Sequence, residues 1–418
     1  MYAMVLERGV STMALLPSAG PHAADHQGRS GLRRTELNSI QFLGKQRTDA
    51  DLERSSAVMG WFGRLHTRSE DAMRDVVRLA PYFLVFTLPA LLLCFDLGGT
   101  WIVFPLFFAF GVIPTLDVVV GLDTRQPDEH TSNLRRWLAD TPLLLWVPVQ
   151  LSTTLYVLHR FATGEFSWFE IVVATISIGV LNGAIGITIA HELMHRRSGL
   201  HRAGAEILLA SVHYTHFCIE HILGHHRNVA TEHDPASSRY GESYYRFLPR
   251  VVIGSLLHAW KLERERCRKQ GIPASSLRDR RTRYALTLLV ADLAVLLAWG
   301  WEGLLLYLAQ GVIAFCLLEA INYIEHYGLT RREIVDGRFE RVQPWHSWNS
   351  AHRVSNWYLF NLARHSDHHY LASREYDRLR HHPDAPQLPT GYAGMVLLAL
   401  VPPLWFLIMN PRVQRWDR

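Results

Sequence analysis

The sequence predicts an all-α, polytopic membrane protein with six transmembrane helices and a histidine-rich cap on the cytoplasmic side. Three observations lead to this prediction. The chain has 418 residues, 49% of them hydrophobic, and the apolar residues form runs close to the length that spans a bilayer. Arginines collect in alternate connections between these runs. Four short histidine clusters lie at the ends of the runs or in the arginine-rich connections.

The predicted spans are six apolar runs. They are Leu79 to Phe95, Gly99 to Val120, Pro142 to Leu158, Trp168 to Ala190, Tyr284 to Trp299 and Gly303 to Ile324. The fourth contains Gly179 and Gly183, small residues that allow neighbouring helices to approach closely. A further apolar run, Tyr392 to Met409, is interrupted by Pro402 and Pro403. Because a proline pair would leave helical carbonyls unsatisfied in lipid, this run predicts a monotopic or re-entrant segment.

The basic residues predict the orientation, since Lys and Arg near span ends stay in the cytoplasm. Arg196 and Arg197 follow the fourth span, whereas the connections at Asp96 to Gly98 and Gly300 to Glu302 carry no basic residue. Both termini and all four histidine clusters are therefore expected on the cytoplasmic side of the inner (cytoplasmic) membrane. The net charge of +5 fits such loops and contact with anionic membrane lipid. No motif supports a nucleic-acid partner.

Two regions differ in composition. Residues 1–70 are polar and rich in Arg, Ser, Gly and His, which predicts a mobile N-terminal extension. A start at Met59 is an alternative beginning of the protein. Residues 71–418 are expected to form the membrane-embedded catalytic domain. In its aromatic second span, Ala109 is the one small side chain before Gly111, so a tunnel lined by this helix could admit a longer substrate there.

Nine histidines in four clusters are the candidate metal ligands. They are His191, His195, His221, His225, His226, His326, His365, His368 and His369. Nine imidazoles exceed the roughly six ligands that one octahedral ion accepts, so at least two metals are expected. By spacing, His365 can share a metal with His368 and His369.

Helical spacing groups the other clusters. Residues four apart lie on one face of a helix, so His191 and His195 can reach a common metal, as can His221 and His225. The neighbours His225 and His226 point about 100° apart on a helix, which favours two different ions for this pair.

Four carboxylates stand next to candidate ligands in the sequence: Glu192, Glu220, Glu325 and Asp367. Such a carboxylate can accept the second imidazole N–H and fix the tautomer of the ligand. The alternative for each is a solvated charge at a helix end. The remaining histidines considered are predicted to be structural or to support the site indirectly: His213, His216, His346 and His352. Asp117 and Asp123 are interpreted as solvated or Arg-paired groups at the interface.

Two other kinds of protein share parts of this pattern. His191-Glu-Leu-Met-His195 fits the zinc-protease motif with Glu192 as general base, but this reading explains only two of the nine histidines. A metal transporter would place its ligands near the bilayer midplane, whereas these lie at span ends. Neutral ligands beside an apolar interior suit oxidative attack on an apolar substrate instead.

The cysteines bear on the source of electrons. Cys94, Cys218, Cys267 and Cys316 are isolated from one another in the sequence, so the chain has neither a disulfide framework nor a Cys-x-x-Cys iron site. Any electron-carrying iron–sulfur unit must be a separate protein.

Four motifs resemble those of the integral-membrane alkane 1-monooxygenases, within the wider membrane desaturase and hydroxylase group. They are His191-Glu-Leu-Met-His195-Arg, Glu220-His-Ile-Leu-Gly-His-His-Arg-Asn-Val-Ala-Thr-Glu-His-Asp-Pro-Ala236, Asn322-Tyr-Ile-Glu-His-Tyr-Gly-Leu329 and Arg364-His-Ser-Asp-His-His369. The Asn-Tyr-x-Glu-His-Tyr-Gly segment is the most discriminating. The resemblance runs from about Leu79 to Arg412, and the long N-terminal extension departs from it.

This resemblance implies hydroxylation of the terminal methyl of medium- or long-chain n-alkanes to 1-alkanols. O₂ would be the co-substrate, and two non-haem iron ions would be held by the nine histidines. Electrons would come from a separate rubredoxin and its NADH-dependent reductase. The alternative within the group is a membrane di-iron fatty-acyl desaturase or an arene side-chain hydroxylase.

Overall fold

The computed structural model describes residues 69–128 and 132–416, and in these residues the fold is almost entirely helical. The strands within the described part are Glu333–Val335 and Arg338–Phe339, which form a small antiparallel hairpin. The prediction of an all-α protein is therefore confirmed. The predicted N-terminal extension lies almost wholly outside the described residues.

The described part contains five helices long and apolar enough to cross a membrane. They are Ser69–Leu97, Gly99–Val120, Asn133–Thr163, Trp168–His195 and Arg280–His326. We call the first four of these the first to fourth spans. Each contains a predicted apolar run, but the first, third and fourth extend beyond it by turns that carry polar residues.

The longest helix, with 47 residues, contains the last two predicted spans. It is interrupted at Gly300, whose φ of 68° and ψ of −170° suit a residue without Cβ. Both arms contact the same side chain, since His213 Nε2 lies 2.8 Å from Asp292 Oδ1 and the His213 ring lies 4.9 Å from the ring of Tyr307. The arms thus run side by side as the fifth and sixth spans, and the fold is that of a six-span membrane protein.

Side-chain caps fix where three of the spans begin. Ser132 accepts a hydrogen bond from the Arg135 N–H at the start of the third span. Ser167 and Glu170 form a reciprocal capping box at the start of the fourth, and Asp279 caps the fifth. Each cap satisfies a backbone N–H that has no partner within its own helix.

The fourth span packs closely against the sixth, and its glycines make this possible. A Cβ at Gly179 would lie 2.7 Å from Ile313 Cβ, and one at Gly183 would lie 2.7 Å from the Ala314 carbonyl oxygen. The same contact buries polar side chains, because Asn182 donates to Gln310 at 2.9 Å and to Thr154 at 3.0 Å. The predicted close approach of a glycine-rich helix is confirmed.

The remaining helices lie between the fourth and fifth spans or after the sixth. They are Gly199–Ala210, Phe217–Glu220, His221–His225, His226–Asn228, Tyr244–Gln270, Pro344–His346, Arg353–Tyr358, His365–Tyr370, Tyr376–Arg378, Tyr392–Ala399 and Pro402–Val413. We refer to the segments outside the spans that surround the histidines as the cap. The polar sequence from Thr231 through Arg283 predicts a helical stretch, but between residues 231 and 279 only Tyr244–Gln270 is helical, so this prediction is wrong for the residues before Tyr244.

The last apolar run is broken where its prolines predict a break. Tyr392–Ala399 and Pro402–Val413 meet at an angle of 119°, and Pro402 and Pro403 occupy the first turn of the second helix, where a missing N–H costs nothing. The bent pair packs against the sixth span through Met395 and Trp405, both fully buried.

Asp117 and Asp123 have different bonding partners, although the sequence-based interpretation of the two is the same. Asp123 pairs with Arg125 at 2.7 Å, as interpreted. Asp117 is buried and has no arginine partner among residues 69–128 and 132–416; it accepts hydrogen bonds from the Ser355 backbone N–H, at 2.9 Å, and from the Ser355 hydroxyl. It therefore fastens the end of the second span to the cap helix Arg353–Tyr358, which is a structural role that spacing alone could not reveal.

Candidate metal centre

The nine candidate ligands converge into two groups at the C-terminal ends of the fourth and sixth spans. The five-histidine group comprises His191, His195, His221, His226 and His368, and the four-histidine group comprises His225, His326, His365 and His369. In each group, one nitrogen from every residue lies within 4.8 Å of all the others. The expected presence of two separate sets of imidazoles is thus seen in the geometry.

The ring nitrogens point at one another rather than at other partners. In the five-histidine group, His226 Nε2 lies 3.0 Å from both His221 Nε2 and His368 Nε2. A metal–nitrogen bond of about 2.0–2.1 Å would separate adjacent ligand atoms at right angles by about 3 Å. The observed separations therefore match ligands that share a metal ion.

The four-histidine group shows the same spacing. His369 Nε2 lies 2.8 Å from His365 Nε2 and 3.2 Å from His225 Nε2. His326 Nε2 lies 3.3 Å from His365 Nε2. These distances again correspond to nitrogens arranged around a common centre.

Two imidazoles are further evidence for a metal. The Nε2 atoms of His191 and His195 are buried and have no hydrogen-bond partner within the described part of the chain. A buried polar atom without a partner costs about 1–3 kcal/mol, and a metal ion would remove that cost. The donor set thus fits a bound metal.

Burial also sets the protonation state that metal binding needs. It lowers the pKa of His221, His226 and His368 well below the ordinary histidine value, and it does the same for His365 and His369. These imidazoles are therefore neutral at neutral pH and can offer a lone pair to a metal.

The spans supply the rigid part of the site. His191 and His195 stand one turn apart at the end of the fourth span, so they share one face, as their spacing predicts. His326 is the last helical residue of the sixth span. The other six histidines come from cap helices. Each group therefore combines one membrane helix with cap segments.

A π-helical turn, His221–His225, divides its histidines between the two groups. The i→i+5 bonding of such a turn places residues five apart above one another. His221 therefore shares the five-histidine group with His226, while His225 belongs to the other group. The expectation that His221 and His225 reach a common metal is wrong, whereas the expectation that His225 and His226 serve different ions agrees with the geometry.

The last cluster is also divided. His365 and His369, four residues apart in the helix His365–Tyr370, belong to the four-histidine group. His368 points to the five-histidine group instead. The three do not share one centre, contrary to the sequence-based expectation, because the adjacent residues His368 and His369 point about 100° apart on the helix.

Glu325 contacts a candidate ligand directly. Its Oε2 lies 3.2 Å from His365 Nε2, and its Oε1 accepts a hydrogen bond of 2.5 Å from the Tyr392 hydroxyl. The carboxylate is fully buried beside the four-histidine group. Among the four carboxylates selected from the sequence, Glu325 is the one that approaches an imidazole of either group. It approaches Nε2, the nitrogen that also faces His326 and His369, so it does not make the expected contact with the second ring nitrogen of a ligand.

The other three selected carboxylates bind different partners. Glu192 pairs with Arg196 at 2.9 Å, Glu220 lies 3.1 Å from His258 Nδ1, and Asp367 contacts Arg374 and, at 2.7 Å, His382. None of these partners is a candidate ligand. Each carboxylate therefore holds the segment that carries a ligand, and the structure does not show the direct tautomer-fixing contact that was expected of them.

The sequence-based selection missed Asp234. Its Oδ2 lies 2.9 Å from His225 Nδ1, and both groups are buried. Although burial alone would lower the pKa of His225, the Asp234 carboxylate raises it. Asp234 thus fixes which nitrogen of His225 faces the group. Its signal in the sequence is the charged Glu-His-Asp-Pro segment that follows the second cluster.

The histidines interpreted as structural lie outside both groups. His213 contacts Asp292, His216 packs on Tyr214 with ring centroids 4.3 Å apart, and His346 lies 3.4 Å from Glu340.

A third set of potential ligands, Glu263, Cys267 and Asp279, is an ion-pair cluster. Glu263 accepts hydrogen bonds from the backbone N–H and guanidinium of Arg280 at 2.8 and 2.9 Å. Asp279 pairs with Arg281 at 2.6 Å. Because the arginines already neutralise and satisfy both carboxylates, this set fits no metal.

An apolar cleft leads from the spans to the two groups. It encloses about 850 Å³ of empty space, counting its open mouth. Its inner end is formed by His191, His221, His365 and Glu325, so it reaches both groups. Its walls are apolar side chains of the second, fourth and sixth spans and of the cap, among them Ala109, Ile113, Val180, Ile187, Leu318, Ile321, Leu359 and Val396. An apolar molecule in this cleft would have one end beside both groups of histidines.

Known proteins share this sequence pattern. The profile of the fatty acid desaturase family matches residues 166–399. Alkane 1-monooxygenase 2 of Pseudomonas aeruginosa is 43% identical over 77% of this chain and 86% of its own length. Alkane 1-monooxygenase 2 of Alcanivorax borkumensis is 41% identical over 76% of this chain and 84% of its own. The hydroxylase component of the xylene/toluene monooxygenase of Pseudomonas putida is 28% identical over 81% of this chain. On these matches, the chain belongs to the alkane 1-monooxygenase family, within the larger fatty acid desaturase family.

Proposed function

We propose that this protein hydroxylates the terminal methyl group of medium- or long-chain n-alkanes to give 1-alkanols. The observation that carries the proposal is the cleft, since its walls are apolar, it opens among membrane spans, and it ends beside both groups of histidines. An alkane can bind there only by apolar contact, and its chain end is then the part nearest the candidate metal centre.

The metals are proposed to be two non-haem irons, one in each group. Imidazole alone does not distinguish iron from zinc, copper or nickel, so iron rests on the family and on the chemistry required. When bound, iron would supply the activation of O₂ needed to attack an unactivated C–H bond. The balanced reaction is one alkane, one O₂, two electrons and two protons giving one alkanol and one water.

The chain's own residues bind and orient the substrate and keep water out. The second, fourth and sixth spans bury the alkane and exclude water from the inner end of the cleft. Tyr392 donates to Glu325 at 2.5 Å and so holds this carboxylate against His365. Asp117 holds Ser355, a residue of the cleft wall, through its backbone and hydroxyl.

The electrons are proposed to come from a separate rubredoxin and its NADH-dependent reductase. The four free cysteines are spread over the fold, two of them buried, and none belongs to an iron–sulfur motif. The histidine groups and the basic connections lie at the same ends of the spans, and we place both on the cytoplasmic side. Residues 71–418 are proposed to form the catalytic domain.

A product assay tests the proposal. The protein, purified in detergent or nanodiscs and loaded with iron, is mixed with rubredoxin, its reductase and NADH. Octane, hexadecane, p-xylene and a fatty acyl substrate are then offered separately, and products are identified by mass spectrometry. We expect 1-octanol or 1-hexadecanol, dependent on O₂ and on rubredoxin. Oxidation of p-xylene or the acyl substrate with neither alkane converted would contradict the proposal.

The arene reading has one observation in its favour, the 28% identity to the xylene/toluene hydroxylase component. The alkane 1-monooxygenases match this chain at 43% and 41%, and so the alkane reading is preferred.

A further inference from the structure

The helix Tyr244–Gln270 does not cross the membrane, and its sides face different surroundings. It has 27 residues and is not among the helices apolar enough to form a span. One side packs on the protein through a regular series of buried residues: Tyr244, Phe247, Val251, Ser255, Ala259, Glu263 and Cys267. The catalytic function does not explain what contacts the other sides of this helix.

The contacts of this helix with the spans indicate that it runs nearly parallel to the membrane surface. Near its start, the Tyr244 hydroxyl donates to the Cys316 carbonyl oxygen of the sixth span, at 2.7 Å. Near its end, Glu263 binds Arg280 at the start of the fifth span. At 1.5 Å per residue these contacts are about 24 and 30 Å from the bend at Gly300. The two ends are therefore at similar depth, close to where the spans leave the membrane.

After its first turn, which carries the exposed Arg246 and Tyr245, whose hydroxyl donates to the Leu400 carbonyl oxygen, the first half of the helix presents an apolar surface away from the protein. Ile253, Leu257 and Trp260 are 60%, 58% and 45% exposed. This surface continues onto a membrane span, because Trp260 shares a cavity with Leu288 of the fifth span. The neighbouring Leu289 of that span is 63% exposed. Lipid that covers the fifth span would therefore also cover this half of the helix.

The second half presents basic side chains on the same outward sides. Lys261, Arg264, Arg268 and Lys269 are exposed, together with one acidic residue, Glu265. None of the four basic side chains forms an ion pair with a carboxylate in the described part of the chain. Trp260 stands at the change from apolar to basic residues. Tryptophan is typical of the boundary between acyl chains and head groups.

We propose that Tyr244–Gln270 is an interfacial helix whose basic end binds the head groups of anionic phospholipids. An amphipathic helix with aromatic and aliphatic residues on one side and Lys or Arg on the other lies in the plane of the interface. Clustered basic residues at that depth attract anionic lipids. The side facing the cap carries His258, which contacts Glu220 next to His221, so the helix connects the lipid surface with the π-helical turn.

Lipid selectivity tests the basic end. The full-length protein is placed in bilayers, and electron spin resonance measures the preference for spin-labelled phosphatidylglycerol over phosphatidylcholine. We expect Arg264→Gln with Arg268→Gln to reduce this preference by about 30-fold, because ~1 kcal/mol per charge corresponds to about fivefold for each of the two charges removed. The control is Arg332→Gln with Arg338→Gln, two exposed arginines after the sixth span. Equal loss in both double variants, or loss in neither, would overturn the proposal.

The depth of the apolar half is tested separately. Leu257→Cys and Glu265→Cys place a nitroxide label on one side of the helix, eight residues apart, in a background where Cys94 and Cys316 are replaced by alanine. We expect the label at 257 to be more accessible to O₂ than to a water-soluble nickel complex, and the label at 265 to show the reverse. A label at 257 that is as accessible to nickel as the one at 265 would show that this half faces water and would refute the interfacial placement. Neither measurement depends on the alkane assay.

Discussion

The two histidine groups could each hold a metal ion, but they differ in the charged residues that contact their imidazoles. The five-histidine group contains only imidazoles, and within the described residues no carboxylate oxygen hydrogen-bonds any of them. The four-histidine group has one imidazole fewer but has Asp234 on His225 and Glu325 on His365. Nearby negative charge increases the basicity of a ligand and stabilises positive charge on a metal. The comparison indicates that metal ions bound by the two groups would have electronically unequal surroundings.

Loss of His326 should have the largest effect, because it is the sole ligand candidate that the sixth span supplies. We expect His326→Ala to leave three imidazoles in its group, to lower iron from about two per chain to about one, and to abolish hydroxylation. Iron is measured by plasma mass spectrometry and activity by 1-alkanol formation. Insertion into the membrane is expected to remain normal. Unchanged iron and activity would show that His326 is not a ligand.

Removal of the Asp234 charge should weaken one group and spare the other. We expect Asp234→Asn to reduce metal affinity or activity by about 10- to 100-fold, the usual effect of losing a partner of a ligand histidine. Asp292→Asn is the matched control, since Asp292 also contacts a histidine, His213, that belongs to neither group. Equal loss of metal in Asp234→Asn and Asp292→Asn would show that the contact between Asp234 and His225 has no specific effect on metal binding.

Loss of one imidazole from the larger group should be better tolerated. After His195→Ala the five-histidine group still has four imidazoles, the number with which the other group begins. We expect two irons per chain and an activity loss of about tenfold, near the lower end of the range for ligand partners. Iron content is again measured by plasma mass spectrometry. A loss of iron as large as in His326→Ala would mean that the five-histidine group needs all five imidazoles to hold its metal.

A change in the cleft wall should leave both groups intact. Ala109 lines the cleft, and Ala109→Phe would fill space that a longer alkane needs. We expect iron content to stay the same while the ratio of octane to hexadecane turnover rises. Val118→Phe is the control, because Val118 lies on the same span but is 79% exposed. An equal shift of preference in both variants would contradict a role for Ala109 in chain length.

Much of the fold could be predicted because a helix that crosses a bilayer needs a continuous apolar run of about 20 residues. Each predicted apolar run, such as Gly99 to Val120, lies within a membrane-length helix, and the Gly300 connection turns the chain as expected. The broken run at Pro402 followed from the missing N–H of proline. The convergence of nine histidines could also be anticipated, since spacing and position at span ends are properties of the sequence.

The partition into groups could not be predicted from spacing. Regular helical geometry pairs His221 with His225, but the π-helical turn pairs His221 with His226. A π-helical turn has no signature in apolar periodicity, because tertiary packing decides whether the extra residue is accommodated. Asp234 was missed for a related reason. It lies in an irregular segment, where the contact with His225 depends on the path of the backbone.

The π-helical turn links the geometry of the two histidine groups. It is a single short piece of backbone, yet it carries His221 for one group and His225 for the other. Gly224 lies between them, where a Cβ would come within 2.6 Å of Glu220 Oε1. A disturbance of this turn would therefore displace a candidate ligand of each group at the same time. Because one short turn serves both groups, a change in its backbone would alter both of them together.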